Sequence, residues 1–406
     1  MRPSRVTFAC ELDPARLTAL FTDPAVLADL QALGAHVALM LSDLSPQRAA
    51  VVRQLNTAGV PVVAIPLVSA AEGYYFTVDN AERAARRYDE WTAWTAHHGL
   101  VWDGVGLDIE PEARVYQQLM DNPWRLVAVL APRLRDRGRV GRARAAYTAL
   151  VARIHADGYR VENYQFPLIA DERRAGSTLL QRLLGLVDVR TDREVWMLYT
   201  SMFSVSIGPG LLWSYAPQAQ AVAVGSTGGG PDIPGHPQVP ALDWDALVRD
   251  LRLARRWCDD LYIHSLEGCV RQGFLARLRS FDWEPAVPPP GTTRLAEGLR
   301  RGLRALLWGS AHPWRLLGLA LAAAWLASRP GRARPPRSNG AAGTQPGPCR
   351  WRRYTINSVR PANVTTANGG AIGSETVGSM LCSNATSTTT LAPTRVSVPR
   401  LMPASG

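Results

Sequence analysis

Between residues 6 and 283, eight short runs rich in Val, Ile, Leu and Ala alternate with longer segments of helical period. The runs are 6–11, 36–42, 60–67, 101–110, 159–167, 195–201, 219–226 and 260–267. They are near-continuously apolar, as strands covered on both faces must be. The segments between them carry helix boundary signals. In DPAVLADLQALGA, Asp23 is an N-cap with Pro24 in the first turn. In SPQRAAVVRQLNTAG, Ser45 and Pro46 repeat the device and Gly59 ends the helix. Such alternation predicts a parallel sheet. Eight units in this length fit a closed (β/α)₈ barrel of the TIM type. An open doubly wound sheet is the alternative, but no G-x-G-x-x-G follows the first strand.

Charge divides the chain. All 45 basic residues are arginine, and the net charge is +11. Residues 1–290 hold 30 Arg against 32 acidic residues, and residues 291–406 hold 15 against 2. The barrel is therefore near neutral, and no nucleic-acid partner is expected for it. The C-terminal region suits an anionic surface. Cys10, Cys258, Cys269, Cys349 and Cys382 form no C-x-x-C pair. Reduced thiols are expected, with neither a disulfide framework nor a zinc site. No apolar leader precedes the first strand, so a bacterial cytoplasmic or membrane-associated protein without a signal peptide is expected.

Four regions follow: a barrel over 1–284, a Pro-rich linker and basic helix start over 285–303, an apolar segment over 304–328, and a tail over 329–406. Within the barrel, the basic, glycine-broken stretch RLRDRGRVGRAR, 133–144, reads as an exposed hairpin between two helices. The uninterrupted apolar run 316–327 has 12 residues. As a helix it rises about 18 Å, short of a ~30 Å hydrocarbon core. A transmembrane, an interfacial and a soluble helix all remain open, so 304–328 is a candidate for membrane association. The tail, rich in Ser, Thr, Gly and Pro with almost no acid, is expected to be disordered.

In a (β/α)₈ barrel the reactive residues close the strands at their C-terminal ends. Here those are Glu11, Ser42, Asp43, Asp108, Glu110, Tyr164 and Gln165, then Tyr199, Thr200, Ser201, Ser226 and Thr227, and last His264, Ser265 and Glu267. An acidic, hydroxyl-rich mouth suits a polar neutral ligand such as a sugar. Tyr74, Tyr75 and Phe76 form either a stacking platform or a plug at the rim. Trp213 and Tyr215, after strand six, are further contact candidates. Asp108 and Glu110 are two apart, so both side chains point into the barrel. Their repulsion raises one pKa, which would make Glu110 a protonated general acid beside a charged Asp108. A helix cap or a salt bridge is the structural alternative for such residues.

DGVGLDIE, residues 103–110, resembles the D-G-x-D-x-D-x-E signature of the chitinase-type glycoside hydrolases, family 18. Asp103, Gly104, Asp108 and Glu110 match, while Gly106 stands at the middle aspartate. The resemblance implies Glu110 as general acid and Asp108 as the residue orienting a substrate N-acetyl group, the internal nucleophile. MLYT, ending at Thr200, is similar to that family's M-x-Y-D. It makes Tyr199 a substrate contact, with Thr200 in the aspartate's place. The tryptophan of strand eight has no counterpart in LYIHSLEG. I-E-P at Ile109–Pro111 faintly resembles the N-E-P of retaining glycosidases, for which Glu267 or Glu11 would have to be the nucleophile. The expected function is thus a glycosidase acting on a polysaccharide or amino-sugar glycan, without a cofactor. A non-catalytic carbohydrate-binding or tethered scaffold barrel is the second reading. A metal-dependent hydrolase or lyase using Glu11, Glu110, His264 and Glu267 is the third.

Overall fold

A computed structural model describes residues 3–111, 131–134, 136–203, 207–230, 239–284 and 287–328. Eight parallel strands form a closed barrel in sequence order: β1 Arg5–Cys10, β2 His36–Leu41, β3 Val62–Pro66, β4 Gly104–Asp108, β5 Val161–Gln165, β6 Arg193–Met197, β7 Ala221–Gly225 and β8 Asp260–His264. Pairing of β1 with β8 closes it, with Phe8 beside Ile263. This is the expected TIM barrel, and all eight runs are strands. The strands are shorter than their apolar runs because the ends turn off into loops. Val101 is exposed and precedes β4, Thr200–Met202 is a 3₁₀ turn, and Glu267 belongs to a helix.

The described helices are α1 Pro14–Thr22, α2 Pro24–Leu33, α3 Pro46–Thr57, α4 Ala81–His98, α5 Arg137–Ala156, α6 Leu168–Ala175, α7 Leu179–Leu184, α8 Gly208–Tyr215, α9 Trp244–Arg255, α10 Leu266–Arg271, α11 Phe274–Leu278, α12 Thr293–Ala311 and α13 Pro313–Ser328. The caps read from sequence are present. Asp23 accepts from the Ala25 amide at 2.9 Å and Ser45 from that of Arg48 at 3.3 Å. The basic stretch expected to be a hairpin is instead the 3₁₀ turn Ala131–Leu134 followed by the start of α5. Asp136 caps that helix by accepting from the Arg139 amide, and two glycines did not outweigh the cap.

Strand alternation sorts side chains into two compartments. Phe8, Cys10, Val105, Leu107 and Ile109 face outward into the core beneath the helices. Ala9, Ile65, Tyr164, Met197, Ala223 and Tyr262 face the barrel interior. The interior is layered. At its N-terminal end Glu162 takes Arg5 at 3.0 Å and Arg193 at 3.5 Å, and Asp103 takes Arg5 and His36 at 3.3 Å each. Tyr262 donates to Glu162 at 2.6 Å, and its ring meets Tyr164 edge-on at 6.0 Å. This ionic and aromatic plug closes one end and leaves the other free for a site.

The segment after the Pro-rich stretch belongs to the barrel's packing. On α12, Arg300 is buried and forms two hydrogen bonds to the buried Asp171 of α6, at 2.9 and 3.0 Å. Its guanidinium lies 3.5 Å from the centre of the Tyr215 ring, and Tyr215 itself donates to Asp171 at 2.6 Å. The apolar segment 304–328 is divided by the break at His312 between α12 and α13. Among the described residues no helix is long and apolar enough to cross a membrane, which corrects the transmembrane expectation. The tail over 329–406, expected to be disordered, lies outside the described residues.

Candidate active site at the C-terminal mouth

A pocket opens at the C-terminal ends of the strands, with about 910 Å³ of empty space counted out to its mouth. Glu11 enters it from the end of β1, Asp108 and Glu110 from β4, and Tyr199 from β6. His264 from β8 and the glycine turn at Gly229 and Gly230 complete the rim. The inward orientation of Asp108 and Glu110 follows from the strand period, because Ile109 between them is buried in the outer core. The Phe76 carbonyl anchors the loop by accepting from the Glu110 amide at 3.0 Å.

Low polarity and crowded carboxyls set the electrostatics. Burial pushes Glu11 up to about 8, helped by the charges of Glu267 and Glu110, while a hydrogen bond from Tyr74 acts the other way. That bond, Tyr74 Oη to Glu11 Oε1, is 2.8 Å. Burial also holds Asp108 well above the usual carboxylate range, reinforced by the charges of Glu110 and Glu11 and by a hydrogen bond with Glu110. Asp108, only 4% exposed, lies deeper than the half-buried Glu110, and two carboxyls this close share a proton. Glu267 is raised as well, by burial.

The expected residues separate into two groups. Glu11, Tyr75, Asp108, Glu110, Tyr164 and Tyr199 line one pocket. Tyr74 lies behind Glu11 and holds it. Tyr74, Tyr75 and Phe76 are all buried, so they plug the rim and do not form an exposed platform. Glu267 sits on α10 under the glycine turn, where its Oε1 accepts from the Gly230 amide at 3.1 Å. Gln165 points the other way, donating to the Val187 carbonyl at 3.2 Å, since its neighbour Tyr164 takes the inward position. Trp213 is not at the site: it lies on α8, its ring 5.6 Å from that of Trp257. Tyr215 is spent on Asp171 and Arg300.

The two departures from the chitinase-type pattern have structural causes. A Cβ on Gly106 would come within 2.9 Å of both Ile65 Cγ1 and Tyr164 Cε2. The tyrosine ring therefore occupies the space a middle aspartate would need. Thr200 turns away from the pocket and donates to the buried Asp250 of α9. Asp103 and Gly104, the other matching positions, lie at the opposite end of the barrel. There Asp103 joins the ionic plug, and bare Gly104 lets the Arg160 carbonyl approach to 3.0 Å from where its Cβ would be. In place of the missing strand-eight tryptophan, His264 puts its ring 5.4 Å from that of Tyr199.

Sequence reading missed Met40, Met197 and Tyr262, which also line the pocket. The period of two would have found Met197 and Tyr262, each two residues before an expected site residue. Met202 and Val239, also lining residues, had no such signal. Among the described residues no group of three or more His, Cys, Asp or Glu is placed to hold a metal ion, Glu11, Glu110, His264 and Glu267 included.

Neither a protein-family model nor a curated protein sequence matches the chain. Several solved structures align with the chain at low identity. An aldo-keto reductase of Pseudomonas aeruginosa, described as putative in its name, is 10% identical at a TM-score of 0.36, covering 68% of this chain and 90% of its own. An L-ribulose 3-epimerase is 14% identical at 0.33, covering 82% and 100%. The intracellular xylanase of Thermoanaerobacterium saccharolyticum is 11% identical at 0.31, covering 65% and 86%. Likeness of this degree says nothing of chemistry. Fold and site together define the class: a (β/α)₈ barrel with a carboxylate cluster at its catalytic end.

Proposed function

We propose that the barrel is a glycosidase, acting on a polysaccharide or amino-sugar glycan by acid/base catalysis at Glu110. The observation that carries this reading is the convergence of Asp108, Glu110 and Tyr199 on one open pocket at the end where barrel enzymes do their chemistry. Asp108 and Glu110 hold one proton between them, because two carboxylates this close in a buried site cannot both ionise. Glu110 is the half-buried member and delivers that proton to the glycosidic oxygen as the bond to the anomeric carbon breaks. The positive charge developing on the sugar offsets the charge left on the pair. Water then adds at the anomeric carbon and its proton returns to Glu110.

A second reading, a barrel that binds carbohydrate without cleaving it, is favoured by one observation. Tyr164 fills the place of the middle acid, which removes one stage of a proton relay. Incubation with a panel of amino-sugar and neutral oligosaccharides separates the two. Turnover by the wild type that Glu110→Gln abolishes, with the circular dichroism spectrum unchanged, supports the glycosidase. Binding without turnover supports the second reading, and turnover unaffected by Glu110→Gln overturns the first.

A further inference from the structure

The pocket is charged in one sense only. Glu11, Asp108 and Glu110 line it, and Glu267 lies just beneath the glycine turn. Yet among the described lining residues there is no arginine, in a chain whose 45 basic residues are all arginine. Among the described lining residues His264 is the one side chain able to carry a positive charge. Arg48, whose charge is felt at Tyr74 and Cys10, is engaged elsewhere. It bonds Asp43 at 2.6 Å and the carbonyls of Met40 and Leu12 at 2.9 Å each.

Two buried acceptors in this cluster are unfilled. Asp108 Oδ1 has no hydrogen-bond partner and no contact with solvent, and the same is true of Glu267 Oε2. On Glu11, Oε1 is held by Tyr74, while Oε2 lies 3.8 Å from where a Cβ of Gly230 would be, beside the pocket. An unsatisfied buried oxygen is costly, so a donor seated in the pocket beside Asp108 is favoured. A cation is the donor that also relieves the repulsion among the acids. A metal ion does not fit, because no group of three ligands is placed to hold one among the described residues. An organic ammonium does, since it donates three hydrogen bonds and is favoured by the tyrosine faces around the pocket. An anionic glycan would meet carboxylates, with His264 alone among the described lining residues able to pair it.

We propose that this pocket takes a glycan bearing a free, protonated amine, which Glu11 receives as a carboxylate with Asp108 as a second acceptor. The proposal rests on the reading of the pocket as a glycan site and names its substrate class. Because burial and the charges of Glu267 and Glu110 keep Glu11 neutral in the empty pocket, the ammonium binds with release of the Glu11 proton to solvent, while the Asp108–Glu110 pair keeps the proton that Glu110 delivers. His264, Tyr75 and Tyr199 face the same space, so the Glu11→Gln and Asp108→Asn variants are needed to assign the protons.

The test is calorimetric titration of the full chain at pH 6.5 with three probes: glucosamine trimer, its fully N-acetylated counterpart, and cellotriose. Repetition in buffers of different ionisation enthalpy counts the protons. The glucosamine trimer is expected to bind at least tenfold more tightly than either other probe, with net proton release. In Glu11→Gln and in Asp108→Asn that preference should shrink to threefold or less. Equal or tighter binding of the acetylated trimer overturns the proposal. So does failure of all three to bind, or a preference undiminished in both variants. Binding of the free amine without turnover would sink the glycosidase reading and leave this one standing. Cleavage of acetylated glycans with no amine preference would do the reverse.

Discussion

Replacing Glu11 by glutamine isolates the electrostatic cost stored at the pocket. The amide keeps the size of the side chain and an oxygen for Tyr74 to donate to, and removes only the charge. Burial holds the Glu11 carboxyl at about 8 against an ordinary 4.5. At about 1.4 kcal/mol per pH unit, this corresponds to roughly 5 kcal/mol. The sign follows from which form the fold accepts. Below pH 4.5 the group is neutral in both folded and unfolded chains and costs nothing. As pH rises the unfolded chain ionises first, so stability falls steadily until the folded group also ionises near pH 8. Asp108, Glu267, Glu172 and Asp250 are also raised by burial, so the wild-type curve contains their contributions too. The difference between wild type and Glu11→Gln removes them to first order. Thermal and urea unfolding at pH 5, 6.5, 8 and 9 should show Glu11→Gln gaining on the wild type across this window, by up to about 10 °C in Tm at about 2 °C per kcal/mol. Parallel curves for the two proteins would refute the reasoning.

Two further substitutions test the packing that supports the site. Arg300→Met leaves Asp171 buried without its main cation, since Arg304 reaches it only at 3.6 Å. A loss of about 3–5 kcal/mol is expected in urea unfolding, with Asp171→Asn combined with Arg300→Met losing less. A loss under ~1 kcal/mol would mean that α12 does not dock on the barrel. Gly106→Ala forces a methyl against Ile65 and Tyr164, with an expected cost of about 1–3 kcal/mol. Adding Tyr164→Leu should recover part of it, and an additive pair would contradict the assignment of Tyr164 to that space.

The barrel was legible because its signal is periodic: buried parallel strands are apolar throughout, and their number and spacing leave few closures. The placement of Asp108 and Glu110 was legible for the same reason, since residues two apart on a strand share a face. What was not legible depended on depth and on neighbours distant in sequence. Gln165 and Tyr164 are adjacent, and which one faces inward depends on a register that the run alone does not set. Trp213 was expected at the site because it follows strand six, yet Gly208 and Gly210 start α8 and carry it away. Their bare backbones pack against Thr200 and Thr292. That Asp108 lies deeper than Glu110 was not legible either, because relative burial is a tertiary property. The Arg300–Asp171 pair joins residues 129 apart, and nothing local marks it.

General-acid work by Glu110 can be tested through the leaving group. A sugar leaving group needs a proton as the glycosidic bond breaks, and a 2,4-dinitrophenolate does not. Rates for wild type and Glu110→Gln on an oligosaccharide that the wild type cleaves are compared with rates on the matching 2,4-dinitrophenyl glycoside. The account predicts a loss of about 10²–10⁴ on the oligosaccharide and a loss at least tenfold smaller on the dinitrophenyl glycoside. Equal losses on both, or no loss on the oligosaccharide, would contradict it.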